Sequence, residues 1–192
     1  EKFNKHLLDL LYEYGASLAT PIKESLNEMP IQSLIQRYIT NDDLALEYLE
    51  YCFNKDTFDL EHKNSHDTTI FLSASMSCLP KTLTYLANKG ANIKITGGVD
   101  NLDALHKAIV TYPHVATLQR AKAVVTLVKL GLDIEKFSAE QKTALMAACN
   151  VGAREVEKEL ILLGANVNAI NDSNQNAVHH AVIGQDSYDF SF

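Results

Sequence analysis

The chain has 192 residues, 46% of them apolar and 21% charged. That is the length of one domain, with enough apolar material to bury a core, and it excludes a chain disordered by composition. Lys and Arg number 17 against 24 Asp and Glu, a net charge of -7, so the overall field disfavours nucleic acid and anionic lipid as partners.

Three cysteines, Cys52, Cys78 and Cys149, without a CxxC spacing, argue against a disulfide framework and fit a reducing, cytoplasmic compartment. No apolar run is long enough to cross a bilayer, and no basic segment with an apolar run after it opens the chain. The start at Glu1 and the abrupt end at Phe192 read as a piece of a longer protein.

In chain order, residues 2–18 read as a helix closed at Gly15, the second helix of a pair whose first is missing. Met29 to Leu34 opens a short helix, and residues 37–43 lengthen the stretch after it. Asp56 to Glu61 keeps a polar–aliphatic pair, Asp59 and Leu60, but has Thr57 where a glycine is expected. Thr69 to Ala74 starts the next short helix, and a second helix closes at Gly90 before Ala91, Asn92 and Ile93. Asp103 to Ala108, the added residues 111–120, and a helix closed at Gly131 before Leu132, Asp133 and Ile134 come next. Thr143 to Cys149 and a helix closed at Gly164 before Ala165, Asn166 and Val167 form the clearest copy. Asn176 to Ala181 begins one more helix, and the residues from Gly184 onward read as a tail.

Two signals therefore recur in fixed phase. A glycine follows four of the five longer helices, where it takes the left-handed conformation that caps the last carbonyls. About 14 residues later a polar N-cap, a large aliphatic and a small residue announce a short helix that buries one face and lets a neighbour approach closely. The closing slots 15, 57, 90, 131 and 164 lie 42, 33, 41 and 33 residues apart.

This arrangement resembles the ankyrin repeat, most clearly through Thr143, Leu145, Ala148, Gly152, Leu160, Gly164, Ala165, Asn166, Val167 and Asn168. The resemblance covers residues 7–183. It departs from the family pattern in keeping the motif proline only as Pro30 and the motif histidine only as His106 and His179. What it implies is an all-α solenoid of stacked helix pairs with hairpin fingers. Repeats are expected at 28–64, 67–97, 101–138 and 141–171, with partial ones at 2–18 and 174–192. His106 and His179 then have a structural role, each ring bonding backbone near the turn.

The resemblance also implies a non-catalytic module, monomeric, that binds a partner protein through a concave face and its fingers. The finger tips are expected at 61–66, 95–101, 136–140 and 170–174. Candidate anchors are Arg37, Met76, Val110, Tyr112, Phe137, Asn150 and Val151. The alternatives are the targeting part of a larger enzyme and the repeat domain of a membrane channel. The degenerate copies and the richness in Asn, Lys, Ile and Tyr resemble ankyrin proteins of intracellular bacteria and large DNA viruses, which implies a host protein as target and delivery into the host cytosol.

Chemistry is poorly provided for. His62 and His66 have helical metal-ligand spacing but fall in a finger, and the adjacent His179 and His180 diverge on a helix. Cys149 takes a slot for alanine, and Cys52 and Cys78 read as helical. No phosphate loop, dinucleotide fingerprint or nucleophile elbow is present. Neither a metal nor a cofactor is expected. Two acidic groups, Asp42, Asp43, Glu47, Glu50 and Asp56, and Glu155, Glu157 and Glu159, read as solvated outer faces.

Overall fold

Each short helix begins where a side chain takes the place of a missing carbonyl. The computed structural model describes residues 5–21, 27–37, 41–110 and 115–188. In it the Thr69 hydroxyl accepts from Leu72 N at 3.4 Å, the Thr143 hydroxyl from Met146 N at 3.3 Å, and the Asp103 carboxylate from His106 N at 3.0 Å. These bonds satisfy donors that have no partner inside the helix.

The described residues are all-α. Ten helices carry the regular structure: α1 (Lys5–Glu13), α2 (Pro30–Arg37), α3 (Asp42–Phe53), α4 (Ile70–Met76), α5 (Pro80–Asn88), α6 (Ala104–Val110), α7 (Thr117–Lys129), α8 (Ala144–Asn150), α9 (Arg154–Leu162) and α10 (Ala177–Tyr188). One two-residue ladder pairs β1 (Thr96–Gly97) with β2 (Leu102–Asp103), antiparallel, Thr96 opposite Asp103.

The helices form two rows. In the first, α2, α4, α6, α8 and α10 each pack on the next; in the second, α3, α5, α7 and α9 do the same. Across the rows α2 meets α3, α4 meets α5, α6 meets α7 and α8 meets α9. At the near end α1 lies beside α3, where Tyr51 donates its hydroxyl to Asp9 and stacks obliquely on Tyr12 with ring centroids 6.3 Å apart.

The core runs between the rows. Leu83 and Leu86, Leu105 and Ile109, Val124 and Leu127, Leu145, and Val156 and Leu160 are buried in turn. Ala74, Ala108 and Ala148 are fully buried in the first row, where small side chains let the axes approach.

The longer helices stop by one device. Gly90, Gly131 and Gly164 have φ between 94° and 99°. The residue after each returns its N–H to a carbonyl five back, Ala91 to Leu86, Leu132 to Leu127 and Ala165 to Leu160; Gly15 does the same through Ala16 and Leu11. This is the Schellman closure. Thr57 has no such role: α3 already ends at Phe53, and Lys55 and Asp56 both return to Cys52 O. The extra length of alternate units goes partly into helix, since α3 and α7 have 12 and 13 residues against nine in α5 and α9.

Three expectations need correction. Cys78 is not helical but sits in the turn after α4 at φ 52°, fully buried, its thiol donating to Ala108 O at 3.4 Å. Asp42 is not merely solvated: it accepts from Lys81 N, Thr82 N and the Thr82 hydroxyl and so caps α5, whose first residue is Pro80. Gly184 does not start a tail. Helix α10 runs through it to Tyr188, and a Cβ there would stand 2.0 Å from Asn150 O, so the residue lets α10 lie tightly against α8.

Candidate functional site

Between the two rows the chain makes a hairpin before α4, α6, α8 and α10. Asn27, Asp67, Asn101, Gln141 and Asn174 all have φ between 48° and 57°. Each lies two residues ahead of the slot that opens the next helix, at 29, 69, 103, 143 and 176. Asn and Asp tolerate this left-handed turn better than other residues with a Cβ, and four of the five are Asn or Asp. That spacing is legible in the sequence itself.

Side chains brace the tips. Asn64 Oδ1 accepts from His66 N and Thr68 N, both at 3.0 Å. Asn171 Oδ1 accepts from Ser173 N and Gln175 N at 3.0 and 2.9 Å. Neighbouring hairpins are tied to one another. Glu61 accepts from Asn92 N at 2.8 Å, and Glu135, in the matching place, from Asn166 N at 2.7 Å. Gly98 N donates to Asp67 O at 3.0 Å, and a Cβ on Gly97 would meet that same oxygen at 2.0 Å. Only glycine permits so close an approach.

Hairpins are also tied to helices. The Gln32 amide donates to Thr68 O at 3.1 Å. His106 Nε2 takes the matching place, 2.9 Å from Lys142 O, while Nδ1 lies 2.9 Å from Asp103 Oδ1. Burial pushes the Asp103 carboxyl up, but the His106 hydrogen bond and charge, the His106 backbone N–H and the Lys136 ammonium outweigh it and hold Asp103 at about 2. His179 is exposed and its Nδ1 meets only Asn176, 3.2 Å from the backbone N and 2.7 Å from Oδ1. His62 Nε2 lies 2.8 Å from Asn27 O.

A groove of about 240 Å³ opens between α6 with its hairpin and α8 with its hairpin. Val110, Ala147 and Val151 give it an apolar floor. Asp100 stands on one rim and Glu140 on the other, with side chains 37% and 64% exposed. The acids are tied to lysines. Asp100 meets the nearly buried Lys107 at 2.9 Å, and Glu140 meets Lys142 at 2.9 Å. Lys142 also donates to Asn150 Oδ1 at 3.0 Å. It escaped the sequence reading because it precedes an N-cap and looks like loop.

The expected anchors are thus split. Val110, Asn150 and Val151 line one groove. Met76 is half-buried at the end of α4, and Phe137, 39% exposed, stands on the next hairpin just before Ser138. Tyr112 and the side chain of Arg37 lie outside the described residues.

Among the described residues no group of three or more His, Cys, Asp and Glu is placed to hold a metal, and no helix is long and apolar enough to cross a membrane. Burial pushes the Cys52, Cys78 and Cys149 thiols up to about 11, which leaves little thiolate at neutral pH. No protein-family model matches the chain, and no curated protein matches it.

Proposed function

We propose that this chain is a non-catalytic binding module of the ankyrin-repeat type, which holds a partner protein against its first helix row and hairpins. The observation that carries the reading is the groove between α6 and α8, where Val110 and Val151 present apolar surface to solvent between two braced hairpins. Val110 is 41% exposed on a helix whose preceding six residues are all buried. An aliphatic group left open on a rigid frame is what an interface anchor requires. The two-row stacking and the recurring glycine closures support the family reading, since helix pairs that lean only on neighbours leave one long side free.

The test is affinity capture from a cell lysate with three immobilised proteins: the wild type, the Val110→Asp, Phe137→Ala double variant, and a Leu118→Asp control on the second row, where Leu118 is 60% exposed. Melting temperatures are matched first. A protein held by the wild type and the control but lost from the double variant is the expected result. An identical captured set on all three proteins overturns the reading.

A further inference from the structure

The hairpins around the groove carry an excess of negative charge. Residues 59–67, 92–101, 133–142 and 166–175 hold eight carboxylates, Asp59, Glu61, Asp67, Asp100, Asp133, Glu135, Glu140 and Asp172, against four lysines. That difference of four accounts for more than half of the net charge of -7. Of the first-row helices behind them, α4, α6 and α8 add no exposed cation. Lys107 is 4% exposed and committed to Asp100, and α4 and α8 contain no charged residue.

Building on the proposed binding role, we infer that the groove takes a basic polypeptide segment, with an aliphatic side chain seated between Val110 and Val151 and a neighbouring Lys or Arg meeting Asp100 or Glu140. The apolar floor supplies the affinity, because burying an aliphatic side chain removes its surface from water. The rim supplies choice and speed. Exposed ion pairs add little energy of their own, but a wall with an acidic excess steers a cationic chain inward and repels an acidic one. The lysines already present offset this only in part, since the hairpins hold four of them against eight carboxylates. Lys142 is anchored to Asn150 as well as to Glu140, so its ammonium is held at the helix side while the Glu140 side chain remains 64% exposed to solvent.

The test is selection from a library of random linear 12-residue peptides displayed on phage, with the whole chain as bait, followed by titration of the enriched peptides at 50 and 300 mM salt. Enriched peptides are expected to place Leu, Ile or Val beside Lys or Arg. They are expected to bind at least tenfold more weakly to the Glu140→Lys and Val110→Asp variants, and to lose affinity as salt rises. Backbone amide shifts on binding are expected at α6, α8 and their hairpins. Peptides that map there but are acidic or uncharged overturn the charge assignment and leave the binding role standing. Peptides that map to the second row, or no enrichment at all, overturn the inference, and in the first case the choice of binding face falls with it. Because Glu140 is well exposed, its variant keeps the test sound if Val110→Asp fails to fold.

Discussion

His106 and Lys142 lie 36 residues apart and meet at 2.9 Å, ring Nε2 to backbone carbonyl. This bond joins α6 to the hairpin in front of α8, and Gln32 makes its counterpart to Thr68 at 3.1 Å. The molecule therefore contains its own replacement for the histidine.

From that equivalence, His106→Gln is expected to keep most of the stability, while His106→Ala loses about 2 kcal/mol, the cost of a buried acceptor left unmade. Urea unfolding midpoints of the two variants check it. Equal losses would mean that the ring acts by packing alone.

Asp103 sets the acid limit. Its folded value of about 2 lies below the ordinary 3.8, so the folded state releases this proton more readily than the unfolded one. The resulting stability, about 2 kcal/mol, is fully present above pH 4 and drains away as pH falls toward 2. Asp103→Asn is expected to be less stable at pH 7 and to show a flatter decline between pH 4 and 2. Guanidinium midpoints across that range measure both.

Two glycines separate crowding from backbone strain. Gly97→Ala drives a methyl into Asp67 O and is expected to cost on the order of 3 kcal/mol. Gly152 has φ 64° but open space around it, so its alanine variant bears only the conformational penalty, roughly 1 kcal/mol. Thermal melts rank the pair; the reverse order would refute the close packing of the hairpins.

Thiol chemistry is set by burial. Cys52 and Cys78 are fully enclosed, whereas Cys149 is part-exposed. Under native conditions at pH 8, Cys149 is expected to react first with a thiol-specific alkylating reagent, and the other two only on unfolding. Mass mapping of timed samples decides it. Rapid early labelling of Cys78 would contradict its placement in the turn after α4.

The helical class and the helix stops were legible because they rest on local chemistry: Thr69 and Thr143 as caps, Gly90, Gly131 and Gly164 as closures. What escaped depended on neighbours far along the chain. Asp42 looked solvated because nothing local shows that it caps α5. Cys78 looked helical because its turn is recognisable only beside Gly152, which occupies the matching place at φ 64°. Gly184 looked like an ending because its contact with Asn150 exists only once α10 lies on α8. For the groove, Val110, Asn150 and Val151 were visible from their phase on the short helices, and Asp100 and Glu140 from the hairpin phase. Their convergence with Lys142 was not, since it requires two hairpins held at a fixed spacing.

The tie between Tyr51 and Asp9 spans 42 residues, and the other links described above reach no further. Each layer therefore finds everything it needs within a short stretch on either side, and long-distance loop closure never becomes the slow step. A nascent chain leaving the ribosome would complete one layer soon after the next emerged, so little greasy surface would wait uncovered during synthesis.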